Sequence, residues 1–529
     1  MLVVLFGVIA VLLWYWWKRH PRSPPSFPGE LPIIGHVIAM LGYRNDIWSF
    51  IKRVCDYSLE NGGLIRLNVG SHIIYVVSDP NDTGVVASTC LEKGFFYEIG
   101  KDFVQKGLLT SDATTWKTHR KLLHPAFNQQ VLNTFLNEMN IQARNLVSQL
   151  TAVAQRTSLG LEAKDQNIID NNYANAIQEI LNIFCYRGIH PWLYPPFIYK
   201  RTAWKKKEDD LIRDLKNMIN TVIQKRRSDL KANNFVTNNG VDSITVSRRR
   251  PVPPRHPRCV QTPYVFKKTF KKMTGILRRF KPVLDLLLHL ADEEHAFTDD
   301  EIKEHLDTIV IASYDTTSTV LQTILLVLGT YPEVQERVYK EVQEVFQNSE
   351  DLSMLDLSKL VYLEAVIKEV LRVYSTVPIV SRKLDTDIVL PNYTLRAGST
   401  CILSIYGLHL HPSWGPDVKE FKPERWLNPD TLPTNPNVYV PFSIGKRNCI
   451  GKQYAMMSLK TSLAHIVRKL HVSGDISNIK WKYELVLKPA NPALMEFTIR
   501  GSGNGLDSQI SPADGAAVDV QVINPKQLN

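Results

Sequence analysis

The stretch Pro441-Phe442-Ser443-Ile444-Gly445-Lys446-Arg447-Asn448-Cys449-Ile450-Gly451 decides how this 529-residue chain reads. One cysteine lies between two glycines, beside a cation, just before a helical run. A thiolate stays ionised at neutral pH when positive charge and N–H donors surround it. Arg447 can supply the charge. A helix starting near Gly451 supplies free N–H groups and the positive end of its dipole. Gly445 and Gly451 permit tight turns and the close approach of a flat group, and Phe442 can shield a soft ligand from water. The plainer alternative is a structural cysteine buried in a turn.

Composition is that of a globular protein, with 44% apolar residues. The six cysteines (Cys55, Cys90, Cys185, Cys259, Cys401 and Cys449) are scattered without a CxxC, which indicates reduced thiols in a cytosolic setting. The net charge of +11 suggests a nucleic-acid or anionic-membrane partner until it is located. Twelve Lys/Arg and no Asp/Glu fall between Arg248 and Lys281; without them the chain carries 51 basic against 52 acidic residues, a balance of −1. The basic character is therefore one segment, and a nucleic-acid partner is not expected. Residues 247–281 have broken periodicity and many prolines. They read as a solvated, disordered insertion, though a retained non-coding stretch or an anionic-lipid patch reads the same way.

Residues 1–17, MLVVLFGVIAVLLWYWW, are uncharged and end in an aromatic cluster, with Lys18, Arg19, His20 and Arg22 following. As a helix they span roughly 25 Å, the short end of a membrane crossing. The charge bias keeps the body cytosolic, and the lack of a small-x-small cleavage site favours an uncleaved anchor. Residues 18–36 form a basic, Pro-rich hinge that reads as a stiff connector. A catalytic body over 37–500 and a polar, disordered tail over 501–529 complete the division.

Four further patterns stand along the body. Residues 64–77 read as a strand pair around Gly70-Ser71. Trp116 and Arg120 sit one helical turn apart, which alone signifies little more than stacking. Residues 300–328 make the longest helix, with Thr298 or Asp299 as N-cap; Ala312-Ser313-Tyr314-Asp315-Thr316-Thr317 lies at its middle and places an acid beside an alcohol, a pair suited to moving protons. Residues 357–375 form a helix carrying Glu369 and Arg372 at i,i+3. Helix continues from Gly451 to about Leu470, and residues 479–500 read as strands turning at 489–492.

The order of these signals, with the F-x-x-G-x-R-x-C-x-G loop and Phe421-Lys422-Pro423-Glu424-Arg425-Trp426, resembles the microsomal cytochromes P450 over about residues 20–500. The flavour is that of insect members of the clan containing fatty-acid ω-hydroxylases. The resemblance implies a mainly α single domain with a small β region. It implies haem b with Cys449 as axial thiolate, and places Phe442, Gly445, Arg447 and Gly451 around it. It makes Trp116, Arg120 and Arg382 propionate anchors, and gives Arg447 a role at thiolate, propionate or redox partner. Asp315 and Thr316 become the proton-delivering pair beside a local break in the helix. Ser313 departs from the glycine expected there, and can loosen the ladder by bonding an i−4 carbonyl. Glu369, Arg372 and Arg425 become a buried structural cluster. The relatives' haem-linking glutamate is replaced by Ala312, so the haem is expected to be non-covalent.

The implied activity is insertion of one oxygen atom from O2 into a lipophilic substrate: a fatty acid, terpenoid or hormone, or xenobiotic. The implied partners are a membrane-bound NADPH–cytochrome P450 reductase steered by Lys446, Arg447, Lys452 and Lys121, then cytochrome b5 and membrane lipid. The implied location is the endoplasmic reticulum membrane with the body in the cytosol. Two rivals stand beside this: a P450-fold isomerase or dehydratase, disfavoured by Asp315-Thr316, and a haem- or lipid-binding protein without turnover.

Overall fold

A computed structural model describes residues 5–11, 13, 22–43, 46–100, 105–158, 171–239 and 283–501. The basic insertion and all but the first residue of the tail lie outside them, as does much of the N-terminal apolar stretch, of which residues 5–11 are helical.

The architecture is mainly α. Helices α1 (Ala113–Leu123), α2 (Gln129–Ser158), α3 (Asn171–Gly188), α4 (Ala203–Asn239), α5 (Asp299–Thr330), α6 (Pro332–Phe346), α7 (Val361–Val373) and α8 (Lys452–Lys469) carry most of it. Strands β1 (Leu64–Val69), β2 (His72–Val77), β3 (Ile379–Lys383) and β4 (Thr400–Ser404) form one sheet in the order β1-β2-β4-β3. The β1–β2 hairpin turns at Gly70-Ser71, as its alternation predicts. β4 runs parallel to β2 and antiparallel to β3. Strands β5 (Leu470–Gly474), β6 (Trp481–Glu484), β7 (Val486–Pro489) and β8 (Met495–Ile499) form two ribbons, β5 with β8 and β6 with β7.

α5 is the axis of the molecule, 32 residues and so about 48 Å long. It opens on a reciprocal cap: Glu301 N–H donates to Thr298 Oγ1 at 3.3 Å, and Thr298 N–H to Glu301 Oε2 at 2.9 Å. Its C-terminal part, Ile324 to Leu328, is fully in the core with Val338, Leu363, Ile367, Leu463 and Ile466 from α6, α7 and α8. Each such side chain contributes roughly 1.5–3 kcal/mol by leaving water. That cluster fixes α5 against α8, and α8 begins where the cysteine loop ends.

Three local expectations change. The 357–375 helix is interrupted at Leu360, leaving Met354–Lys359 as a separate turn capped by Ser353. The strands over 479–500 break near 489–492 as expected, between β7 and β8, and turn once more at Leu485, in left-handed conformation (φ 67°), between β6 and β7. The described hinge residues are docked and not extended throughout: Leu31 and Gly35 exchange backbone hydrogen bonds of 2.9 Å around a turn. Phe27 is buried, its N–H donates to Arg66 O at 2.9 Å, and Arg66 N–H donates to Pro25 O at 2.8 Å.

Candidate haem-thiolate site

The cysteine loop is wound tightly before α8. Ser443 and Gly445 both have positive φ, at 58° and 73°. A side chain at Gly445 would come within 2.3 Å of Ala87 O, so glycine is required by contact as well as by conformation. Cys449 N–H donates to Phe442 O at 2.9 Å and Asn448 N–H to Gly445 O at 3.2 Å, closing the turn. Phe442 packs half-buried against the main core. Cys449 is exposed, whereas Cys55, Cys90 and Cys401 are buried. Desolvation by the surrounding loop raises the Cys449 thiol, and the N–H of Gly451, the Arg120 guanidinium and the N–H and ammonium of Lys452 oppose this. The helix-start donors are therefore where the spacing places them.

The cation is not. Arg447 is buried and spends its guanidinium on carbonyls across the loop: Leu91 O at 2.9 Å, Leu108 O at 3.5 Å and Ser111 O at 2.6 Å. It stacks over Trp116, 4.5 Å from the ring centroid. Burial, together with Arg382, pulls it down to about 10. The charge facing the sulfur is Arg120, which clips the loop by donating to Asn448 O at 3.0 Å and Asn448 Oδ1 at 3.1 Å. Arg447 also leaves the exposed basic face, which Lys446, Lys452 and Lys121 retain.

Behind the loop, three buried cations converge. Arg382 on β3 is 1% exposed; its Nη1 donates to Ser381 O at 3.0 Å, but its Nε and Nη2 find no acceptor. Lys93 lies opposite it in an antiparallel bridge, its ammonium 4.3 Å from the Tyr97 ring centroid. Burial first, then Arg382 and Arg447, push Lys93 well below the usual lysine range. Ser381 and Ser111 hydroxyls nearby are also unpartnered. Buried donors without acceptors are costly, and two carboxylates carried by one apolar body satisfy all of them. The residues therefore fit a haem, with Trp116, Arg382, Arg447 and Lys93 on its propionate side. Sequence reasoning missed Lys93. Nothing in Leu91-Glu92-Lys93-Gly94 marks it, and its partner lies far along the chain.

Near the middle of α5, Ala312, Ser313 and Tyr314 are three consecutive exposed residues. The expected break is absent: the helix is continuous, Thr316 Oγ1 donates to Ala312 O at 2.7 Å, and Ser313 Oγ bonds the i−3 carbonyl of Val310 at 3.1 Å. Threonine and serine hydroxyls therefore occupy the carbonyls that a break would free. Asp315 is buried beside Lys488 of β7, with which it forms an ion pair. Burial raises the Asp315 carboxyl and Lys488 opposes this. Another pair unmarked in the sequence joins α1 to α5: His305 and His119 share a hydrogen bond of 2.9 Å, and Glu301 Oε1 lies 3.6 Å from His119.

Glu369, Arg372 and Arg425 assemble as the resemblance implies. Glu369 accepts from Arg372 at 2.7 and 2.9 Å, from Arg425 at 2.9 Å, from Trp426 Nε1 at 2.9 Å and from Lys422 N–H at 3.0 Å. Arg372 Nη1 also donates to the carbonyls of His409 and Val418, and its Nη2 to that of Glu420. Asp417 adds a second carboxylate, 3.4 Å from Arg425. The cluster ties α7 to the 412–426 segment.

The cytochrome P450 family model matches residues 24–166 and 158–497. The chain is 30% identical over 518 residues to cytochrome P450 4V2 of Mus musculus, covering 92% of each. It is 28% identical over 519 residues to cytochrome P450 4c21 of Blattella germanica, covering 93% of this chain and 96% of that one. It is 28% identical over 542 residues to probable cytochrome P450 4s3 of Drosophila melanogaster, covering 96% and 98%.

Proposed function

Since this chain belongs to the cytochrome P450 family and is a haem monooxygenase, we propose that it hydroxylates lipophilic substrates at the endoplasmic reticulum membrane, anchored by residues 1–17 with its body in the cytosol. The observation that carries the site assignment is the exposed Cys449 in a glycine-locked loop beside buried cations with orphaned donors. Bound non-covalently there, haem b supplies reductive activation of O2 and transfer of one oxygen atom. Ala312 presents no carboxylate for a covalent link.

The chain's own residues have separable tasks. Cys449 ligates through sulfur, its charge supported by two backbone N–H groups, Arg120 and Lys452. Trp116, Arg382, Arg447 and Lys93 orient the propionates, and Arg120 holds the loop. Phe442 keeps water from the sulfur. Asp315 and Thr316 hold and move protons: the Thr316 hydroxyl must leave Ala312 O before it can donate elsewhere. Lys446, Lys452 and Lys121 present an exposed basic face to an acidic membrane-bound reductase, and cytochrome b5 competes for it.

The test is the spectrum of the reduced carbon monoxide complex, followed by turnover of a fatty-acid, terpenoid and xenobiotic panel with NADPH and reductase. A strongly red-shifted Soret band is expected, and is lost in Cys449→Ala. A folded, haem-loaded protein without that band defeats the ligand assignment.

A further inference from the structure

Asp315 shares a face of α5 with Ile311, one turn earlier. Ile311 packs against Ile177, Ile180 and Leu181 of α3 and Ile212 and Leu215 of α4. The carboxylate therefore looks toward α3 and not along the exposed stretch of Ala312 to Tyr314. Lys488 meets it there: its ammonium donates to Asp315 Oδ1 and also to Gln178 Oε1 of α3 at 2.6 Å. Gln178 Nε2 donates in turn to Glu484 Oε2 on β6, and the other oxygen of Glu484 pairs with exposed Lys482 at 2.6 Å. Asp315 Oδ2 is buried without a partner.

Direction matters in this chain. The Lys488 ammonium has no lone pair with which to accept, and the Gln178 amide nitrogen donates outward to Glu484, so neither relays a proton inward to the carboxylate as a water file would. The arrangement is a clamp. It joins three elements, α5, α3 and the β6–β7 hairpin, through one ammonium. The groups with charge or a titratable proton that bear on Asp315 are Lys488, Glu484, Cys185 of α3 and the neighbouring Tyr314. Of these, only Lys488 favours the carboxylate.

We propose that Lys488 is a positioning residue for oxygen activation: tied through Gln178 to α3, it holds the Asp315 carboxylate on the α3 face of α5 until that helix or the hairpin shifts. This rests on the reading of Asp315 and Thr316 as the proton-delivering pair.

The test compares wild type with Lys488→Met, Lys488→Arg, Gln178→Leu, Asp315→Asn and the Lys488→Met/Asp315→Asn double variant, all haem-loaded. Infrared spectroscopy at neutral pH reads the carboxyl without turnover. A protonated carboxylic-acid band is expected in Lys488→Met and absent from the double variant. The second measurement is hydrogen peroxide release without substrate, in which NADPH, a proton and O2 give NADP+ and H2O2 with electrons from the reductase. Release is expected to rise several-fold in Lys488→Met, less in Gln178→Leu and not in Lys488→Arg, with its pH profile displaced to higher pH and its solvent isotope effect reduced. No new band and an unchanged pH profile in Lys488→Met overturn the proposal. If that variant fails to load haem, an unchanged profile in Gln178→Leu does the same. If Asp315→Asn alone leaves release and its isotope effect unchanged, the reading of Asp315 falls instead.

Discussion

Arg382 has two donors buried without protein acceptors and faces Lys93 and Arg447, an arrangement expected to be costly unless a carboxylate is held there. With a propionate in reach, the same donors become charge-assisted hydrogen bonds. Arg382→Ala is therefore expected to raise the thermal midpoint of haem-free protein while weakening haem retention by about 2 kcal/mol, roughly thirtyfold. Haem transfer to an apo-acceptor protein and calorimetry of both forms check the two signs. Equal signs would remove the cluster from the propionate side. Lys93→Ala should behave alike, more weakly, since its ammonium already gains from Tyr97. These residues also show where sequence reasoning reaches. Arg382 follows a strand-forming run and is legible by position. Lys93 is visible only once β3 brings the two ends of an antiparallel bridge together. Arg447 reads from the sequence as a cation for thiolate, propionate or redox partner, and its bonds to three carbonyls at 91–111 are not legible because they depend on loop closure.

At the scale of elements, the helices with strong apolar period or a clear cap are legible: α5 through its N-cap at Thr298, and α8 through its start after Gly451. The unbroken ladder at Ser313 is not, because a serine hydroxyl has both i−3 and i−4 carbonyls in reach. Nor is the turn at Leu485, a residue without turn preference held at positive φ by packing beside α3 and α4. The join between α7 and the 412–426 segment rests on Glu369, and removing it leaves Arg372 and Arg425 buried together. Glu369→Ala is expected to cost about 3–5 kcal/mol and to give no stable haem protein. Normal haem incorporation in that variant refutes the assignment.

Across the whole molecule, acid stability is expected to follow the buried histidines, three of them most strongly shifted. His305 and His465 are pushed down to about 4 and His409 to about 3, each mainly by burial. Val440 N–H donates to His409 Nε2 at 3.1 Å, which fixes that ring as the neutral tautomer. Below about pH 6.5 the unfolded chain takes up protons at these rings that the native chain refuses, so stability is lost as pH falls toward 4. Asp82 and Asp307, raised by burial to about 6, work the other way between about pH 4 and 6, because there the native chain holds protons that the unfolded chain releases. Glu304 and Asp315 act with these two, while His119, His411 and His471 and the lowered carboxyls of Asp112, Asp299, Asp356 and Asp417 act with the three histidines, so the thermal midpoint should fall on acidification below pH 6.5, and fall more steeply in Asp307→Asn. Reductase-dependent turnover is a second whole-surface property. Steering by Lys446, Lys452 and Lys121 should weaken as ionic strength rises, over the range where the Debye length shrinks from about 30 to about 8 Å. A second-order rate constant indifferent to salt removes those lysines from the docking face.

The meeting of Lys93, Arg382 and Arg447 reaches beyond catalysis, into supply. A ligand that binds only the native state stabilises it in proportion to its free concentration. A chain whose interior is strained by like charges until haem arrives has little reserve without it. In a cell short of haem, newly made chains should linger unfolded and be cleared by proteases, so abundance of the protein follows porphyrin availability even when its messenger does not change.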